Sequence, residues 1–168
     1  LSICNRLLLG ALLANADHQL PGVVAWCDLF DPALESVLAA YQSDSKFVGV
    51  RPLPADTFGG DWLADPRSRE AFRLFETLDV AVDVLVRVED LARARAFLRD
   101  YPGLRVVLNH GGRPAVMTGA LQPWASEIHA LARETSAVVK CSGLVERAGV
   151  EWSRASVQPY VSTLIDAF

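Results

Sequence analysis

The sequence is poor in cysteine, and the three cysteines it contains form no recognisable motif. Cys4, Cys27 and Cys141 are an odd number of widely spaced residues, and no Cys-x-x-Cys pair occurs. We therefore expect free, buried thiols in a reducing compartment, with Cys27 and Cys141 inside strands. On this ground the expected location is cytoplasmic.

Long runs of one kind of residue are also missing. No cluster of lysine and arginine stands out and the formal net charge is −4, so no nucleic-acid partner is expected. No apolar run reaches the ~20 residues that span a membrane, and residues 7–13 continue as a helix face instead of ending in a signal-peptide cleavage site. With 51% hydrophobic and 21% charged residues, the composition is that of an ordinary soluble globular domain.

What the sequence does contain is a regular alternation of short apolar runs with amphipathic stretches. Asp31-Pro32 and Asp65-Pro66 each place a capping residue before a proline, a typical start of a helix. The predicted strands cover residues 22–29, 47–50, 80–86, 104–108 and 137–140, and the predicted helices cover residues 1–16, 31–42, 65–77, 91–98, 121–133 and 157–168. This alternation predicts a parallel α/β sheet covered by helices.

Such a sheet is either open and doubly wound or closed into a (β/α)8 TIM barrel. An open sheet usually binds nucleotide through a Gly-x-Gly-x-x-Gly turn, which follows no strand here. The pair Gly111-Gly112 is the nearest approach and would then contact phosphate. A barrel typically needs ~250 residues. We therefore expect an incomplete barrel, in which residues 1–168 are the interior portion of one domain and flanking strands are absent from the sequence.

The most informative stretch is residues 104–113, where a buried strand breaks into Asn109 and His110 before two glycines. In parallel α/β proteins the chemistry lies at the carboxyl ends of the strands, which is where His110 stands. A neutral imidazole there can ligate zinc, act as a general base or stabilise charge, or it can simply cap the strand. The other histidines, His18 and His129, fall on a helix end and a helix, so they do not complete a metal site.

Several segments together resemble the amidohydrolase superfamily, in its branch of L-fuconolactonase-like sugar lactonases and related amidohydrolase 2 proteins. They follow the family's order and spacing over nearly the whole chain. The matching segments are Gly-Val-Val-Ala-Trp-Cys-Asp-Leu from residue 22, Phe-Val-Gly-Val-Arg from 47, Asp-Val-Leu-Val from 83, Val-Leu-Asn-His-Gly-Gly-Arg-Pro from 107, Pro-Trp from 123 and Val-Lys-Cys-Ser-Gly-Leu from 139. By this alignment the predicted strands are the second to sixth of the barrel.

The resemblance implies a site of which this chain holds one part. The family usually has a His-x-His pair on its first strand, a histidine ending the fifth and an aspartate ending the eighth. His110 matches the fifth-strand histidine, Asn109 stands where the family commonly has aspartate, and the His-x-His pair and the late Gly-Ser-Asp-Trp segment are absent. The implied activity is the opening of a sugar lactone or similar cyclic ester by water attack. The alternative is a catalytically inactive truncated barrel or a binding module.

In the complete family site, His110 would be catalytic and a ligand of a divalent metal, with zinc the first choice. Arg51 suits a substrate carboxylate or a polarised lactone carbonyl, or alternatively an ion pair with Asp28 or Asp83. The two aspartates would accept hydrogen bonds from sugar hydroxyls or orient His110, although Asp83 also suits a buried structural role. We expect His110, Arg51 and Asp28 to point into one cavity.

Two further residues complete the set expected to bind substrate. Lys140 ends a predicted strand and would donate to a carbonyl oxygen. Trp62 falls at the end of the long loop, directly after residues 53–61, where an exposed aromatic ring would stack on a sugar face. The expected partner is thus a small-molecule substrate, with no nucleic acid and no membrane, and the sequence leaves a homo-oligomer open.

Overall fold

The structure is a computed structural model that describes residues 21–52 and 61–168. The chain divides into two compact units, Leu1–Asp83 and Val84–Phe168, which we call the first and second units. The predicted helix over residues 1–16, Cys4, His18 and most of the loop before Asp61 lie outside the described residues.

The first unit contains a parallel run of strands with helices between them. Its elements in chain order are β1 (Val23–Cys27), α1 (Leu34–Gln42), β2 (Phe47–Pro52), α2 (Pro66–Thr77) and β3 (Val82–Val84), whose last residue begins the second unit. Strand β1 pairs in parallel with β2, and β2 pairs in parallel with β3. The order of strands and helices is the one predicted from the alternating pattern.

Apolar side chains at the expected spacing fill the core of this unit. Ala25 on β1 packs with Val37 and Tyr41 of α1, and the Tyr41 and Phe47 rings stack with centroids 5.4 Å apart. The predicted start of α2 is confirmed, because the Asp65 carboxylate accepts a hydrogen bond from the Arg67 backbone N–H at 2.9 Å. This arrangement satisfies one of the free amides of the first turn.

The second unit repeats the pattern of strand and helix. Its elements are α3 (Leu91–Leu98), β4 (Val106–Leu108), α4 (Trp124–Glu134), β5 (Val138–Val139), α5 (Leu144–Ala148) and α6 (Arg154–Ala167), and β4 pairs in parallel with β5. Helix α4 packs against both α3 and α6. The Trp124 and Tyr160 rings lie 5.3 Å apart in this contact, and both are almost fully buried.

Four of the five strands are shorter than predicted, whereas β2 runs two residues further than predicted, to Pro52. Strand β4 begins at Val106, and β5 consists of two residues. Cys141 therefore lies beyond the strand and is exposed, so the expectation of a buried thiol inside a strand is wrong for this residue. Cys27 is buried in β1 as expected, and burial, followed by the nearby charge of Asp28, raises the pKa of its thiol.

Helix boundaries depart from the prediction where capping groups decide them. Helix α6 begins three residues earlier than the apolar pattern indicates, because a capping box forms at its start. The Ser156 N–H donates to the Ser153 hydroxyl oxygen, and the Ser153 N–H donates to the Ser156 hydroxyl oxygen. Helix α5 was not predicted at all. Among the described residues, no helix is both long enough and apolar enough to cross a bilayer.

Candidate functional site

The carboxyl end of β4 leads into a tight turn with an unusual backbone. Residues 110–113 have φ values of 50°, 58°, 70° and 55°, and we call them the left-handed turn. Glycine adopts this conformation readily, but for His110 and Arg113 it costs about 1–2 kcal/mol each. Strain of this kind persists only where the surrounding structure enforces it, and it is concentrated at functional sites.

Neighbouring elements hold the left-handed turn in place. The Gly111 N–H donates to the Lys140 carbonyl at 3.0 Å, directly after β5. The buried indole of Trp124 donates to the Gly111 carbonyl at 2.7 Å, and the Arg113 N–H donates to the His110 carbonyl at 2.9 Å. The turn is therefore fixed by strand β5 on one side and by helix α4 on the other.

The His110 ring is positioned by the two residues that follow Cys141. Its Nδ1 lies 3.0 Å from the Ser142 hydroxyl oxygen. The ring lies so close to Gly143 that a Cβ at that residue would be 2.9 Å from Nδ1. Sequence reasoning missed both residues as part of the site, although they belong to the Val-Lys-Cys-Ser-Gly-Leu segment used for the family resemblance.

The contact with Ser142 determines what His110 can do. If Nδ1–H donates to the hydroxyl, Nε2 carries a lone pair and can act as a base or a metal ligand. If the hydroxyl donates instead, Nε2–H becomes a donor suited to a carbonyl oxygen. Within the described chain, Nε2 of His110 has no hydrogen-bonding partner. This nitrogen is thus the chemically available one.

Asn109 sits between β4 and His110 and is 1% exposed. Neither its amide nitrogen nor its amide oxygen has a hydrogen-bonding partner among the described residues. A buried polar group without a partner costs roughly 1–3 kcal/mol, and such groups in native proteins usually meet water or a ligand. The polar character of the site therefore extends to Asn109, which sequence analysis noted only as a departure from the family pattern.

In the first unit, Arg51 near the end of β2 forms an ion pair with Asp83 of β3. Its Nη2 and Nε lie 2.5 and 3.1 Å from Asp83 Oδ2. Asp83 is 2% exposed, whereas the Arg51 side chain is 37% exposed. The ion pair proposed as an alternative to substrate binding by Arg51 is thus present. Asp83 is buried, as expected for a structural role.

Asp28 follows β1 at the same end of the strands, because Cys27 lies opposite Pro52 in the parallel register. Its carboxylate is exposed and accepts a hydrogen bond from the Phe30 N–H at 2.9 Å, which closes a local turn. No ion pair joins Asp28 to Arg51 within the described residues. Substrate binding by Arg51 and Asp28 stays a prediction.

The expectation of an exposed Trp62 is wrong. The side chain is 7% exposed, and its ring stacks on Phe72 of α2 with centroids 5.3 Å apart and an interplanar angle of 7°. The physical reason is that stacking on the apolar face of α2 removes the ring from water. Lys140 is half-buried directly after β5, and its proposed contact with a carbonyl oxygen stays a prediction.

Metal ligands are not assembled within the described residues, because they contain no group of three His, Cys, Asp or Glu that could hold an ion. His110 is the single candidate ligand at the end of β4. The part of the chain that the structure describes therefore does not by itself fit a metal site. Since His110 belongs to the second unit and Arg51 and Asp28 to the first, the cavity expected to join them also stays a prediction.

The fold is that of part of a TIM barrel of the amidohydrolase type, as comparison with solved structures shows. An amidohydrolase from Burkholderia multivorans with bound HEPES superposes with a TM-score of 0.84 at 26% identity, over 97% of this chain and 60% of that one. Another crystal form of that protein, with bound zinc, gives 0.83 at 28% identity, over 97% and 59%. The expected incomplete (β/α)8 barrel is confirmed.

The chain belongs to the amidohydrolase family, whose model matches residues 4–168. It is 34% identical to the L-fucono-1,5-lactonase of Burkholderia ambifaria over 156 residues, which cover 93% of this chain and 54% of that protein. It is 29% identical to the L-fucono-1,5-lactonase of Burkholderia multivorans over 164 residues, covering 92% and 54%. The chain thus spans about half the length of the curated relatives it matches.

Proposed function

We propose that the protein containing this chain is a hydrolase that opens a sugar lactone or a similar cyclic ester. The observation that carries the proposal is His110, held on a strained left-handed turn with Nδ1 engaged by Ser142 at 3.0 Å. Its position at the carboxyl end of a barrel strand is where barrel enzymes place their chemistry. The names of the two Burkholderia lactonases support the substrate class.

The proposed reaction is attack of water on the ring carbonyl carbon. A base removes a proton from the water, the C–O bond to the ring oxygen breaks, and the ring oxygen takes up a proton to give the hydroxy acid. His110 serves as the base through Nε2, with Nδ1–H donated to Ser142 so that the lone pair lies on Nε2. Ser142 is the positioning residue, because it selects the tautomer and orients the ring.

Charge that develops on the carbonyl oxygen needs a donor in the transition state. Lys140 is the candidate donor in the second unit. Leu108 and Val139 lie opposite each other at the ends of the parallel strands β4 and β5, so the next residues, Asn109 and Lys140, leave the sheet at the same edge. The Lys140 carbonyl already holds Gly111, so the backbone that carries this ammonium group is fixed. We propose that Lys140 donates to the developing oxyanion.

A divalent metal, with zinc the first choice, is proposed for the complete site, because a zinc-bound neighbour has the same fold. In that case Nε2 of His110 would ligate the metal in place of acting as the base, because its one lone pair cannot do both. The described residues contribute no set of three ligands, so no step of the reaction is assigned to a metal.

Substrate binding in the first unit is proposed for Arg51 and Asp28. Arg51 uses Nε and Nη2 on Asp83, and its Nη1 forms no hydrogen bond with the described residues. A guanidinium held in this way can present Nη1 to a carbonyl or hydroxyl oxygen of the substrate. Asp83 then acts by orienting Arg51 and not by contacting the sugar.

The experiment is a substrate survey with the product of the full reading frame that encodes this chain. Acid release from 1,4- and 1,5-sugar lactones is followed with a pH indicator and corrected for spontaneous opening, and a peptide amide and a phosphate monoester serve as controls. Saturable turnover of a lactone, with neither control hydrolysed, supports the proposal. Lactone binding without turnover would instead identify a binding module, and hydrolysis confined to a control would assign another reaction.

A further inference from the structure

A cleft of about 290 Å³ lies in the second unit, and neither His110 nor Ser142 lines it. Its lining consists of Arg87, Val88, Glu89, Arg113, Ala115 and Arg147. Three positive charges against one negative charge leave the lining with a formal charge of +2. We call it the arginine cleft. The volume is near the lower end of the ~300–1,000 Å³ range of small-molecule sites, so it suits a small ligand.

Arg113 reaches this cleft from the end of the left-handed turn. Its backbone has φ 55° and ψ 56°, a conformation that a glycine would adopt at lower cost. Its guanidinium forms neither a hydrogen bond nor an ion pair with the residues that the structure describes. A strained position occupied by an unpaired charge has no evident structural purpose within the described part of the chain.

Arg147 on α5 also lines the cleft, and a hydrogen bond holds its guanidinium group in place. Its Nε donates to the Pro114 carbonyl at 2.7 Å, and the side chain is partly buried. Burial, and after it the positive charge of Arg113, lower the pKa of Arg147, while Glu89 acts in the opposite direction. Both guanidinium groups line the same cleft, and their like charges repel each other.

The single carboxylate of the lining cannot neutralise this charge. Oε1 of Glu89 lies 4.0 Å from Nη1 of Arg87, and both side chains are more than half exposed. An exposed pair at this distance contributes little stability and balances at most one of the three positive charges. The excess charge remains at Arg113 and Arg147.

We propose that the arginine cleft is a binding site for a small dianionic oxyanion, either a phosphate group or a dicarboxylate. Guanidinium groups match the oxygens of both in geometry and bind them through paired, charge-assisted hydrogen bonds. A dianion would neutralise the excess charge and remove the repulsion between Arg113 and Arg147. The proposal is independent of lactone hydrolysis, since binding is measured without turnover.

The test is isothermal titration calorimetry of the full-reading-frame product with inorganic phosphate, with succinate and with neutral erythritol. Arg113→Asn removes the charge but keeps a residue that tolerates positive φ. It should weaken anion binding roughly tenfold to a hundredfold, the loss expected for hydrogen bonds to a charged group. Arg154→Gln, an exposed arginine outside the cleft, removes the same charge and should leave the affinity unchanged.

Glu89→Gln provides a variant in which damage to the fold cannot imitate the expected result. It removes the one negative charge of the lining, so phosphate or succinate should bind several-fold more tightly. Whichever anion binds more tightly to the wild-type protein shows whether the site prefers tetrahedral or planar oxyanions. The proposal is overturned if neither anion binds with a Kd below about 10 mM, if erythritol binds equally well, or if Arg113→Asn behaves as Arg154→Gln does.

Discussion

At the scale of single residues, the ion pair between Arg51 and Asp83 shows how one side chain can serve both structure and binding. Asp83 is almost fully buried in β3, and Arg51 satisfies one of its carboxylate oxygens from β2. Removal of the arginine would take away the positive charge that Arg51 supplies to a buried carboxylate, which is more costly than loss of a surface pair. The two roles can be separated by experiment.

We expect Arg51→Ala to lower the free energy of unfolding by about 1–3 kcal/mol, less than for a fully buried pair because Arg51 is 37% exposed. Arg51→Lys should recover most of the stability, since it keeps a positive charge beside Asp83. It should still raise the KM for a lactone. The single nitrogen of lysine cannot bind Asp83 and also place a second nitrogen, the counterpart of Nη1, against the substrate. Urea unfolding and steady-state kinetics measure the two effects.

The matched control is Arg67→Ala, which breaks the exposed pair with Asp65 in the same unit and should change stability little. A normal KM for Arg51→Lys would show that Arg51 has only a structural role.

At the scale of elements, Gly112 of the left-handed turn and Gly119, which lies outside it, share a backbone conformation but differ in their surroundings. A Cβ at Gly112 would lie 2.9 Å from Leu91 Cδ2, and Leu91 is fully buried at the start of α3. Gly119 has the same φ of 70°, but a Cβ there would have no atom within 4 Å. Comparing alanine substitutions at Gly112 and Gly119 therefore separates the cost of backbone strain from the cost of crowding in the core.

Gly112→Ala should destabilise the protein by about 2–4 kcal/mol, because it adds crowding of the core to the cost of an alanine at positive φ. Gly119→Ala should cost only the backbone term, about 1 kcal/mol. Denaturant unfolding of both variants measures the difference. Equal losses of stability would mean that the contact with Leu91 does not constrain the turn.

The elements also show what the sequence could and could not predict. The apolar spacing and the absence of breakers gave α3 its correct limits, Leu91–Leu98, and the Asp-Pro signal located α2. The left-handed turn depends on hydrogen bonds from Trp124 and to Lys140, which are distant in sequence. Local pattern predicts that His110 ends a strand, but it carries no information about these tertiary contacts.

The arginine cleft could not be predicted from the sequence either, because it depends on tertiary contacts. Arg87, Arg113 and Arg147 are separated by tens of residues and form no basic run. Folding of the second unit brings them to one lining. The prediction for Trp62 was wrong because its position beside a loop indicated exposure. The neighbouring face of α2 buries the ring.

At the scale of the whole molecule, the chain covers 54% of the Burkholderia ambifaria lactonase and superposes on 60% of the solved Burkholderia multivorans amidohydrolase chain. Within the described residues, β1 pairs with β2 and β5 with β4, and neither has a second neighbour. Val138 on β5 is 58% exposed. Strands with one free edge and exposed apolar side chains favour association with other chains.

We predict that the 168 residues expressed alone aggregate or form oligomers and show no lactonase activity. Apolar surface left open costs ~25 cal/mol per Å² against a net stability of roughly 5–15 kcal/mol. Light scattering and a calorimetric melt measure the outcome, with the product of the full reading frame as the control at equal concentration. A monodisperse monomer with a cooperative transition would show that these residues are a self-sufficient domain.

The central claim is that His110 carries out lactone hydrolysis, and turnover by a His110→Asn variant of the full-reading-frame product tests it most directly. Asparagine tolerates positive φ, so the variant removes the imidazole while keeping the left-handed turn. His129→Asn, on α4, is the matched control. We predict a loss in kcat on the order of a hundredfold or more for His110→Asn, with an unchanged circular dichroism spectrum and normal activity in the control. Near-normal turnover by a folded His110→Asn variant would contradict the account.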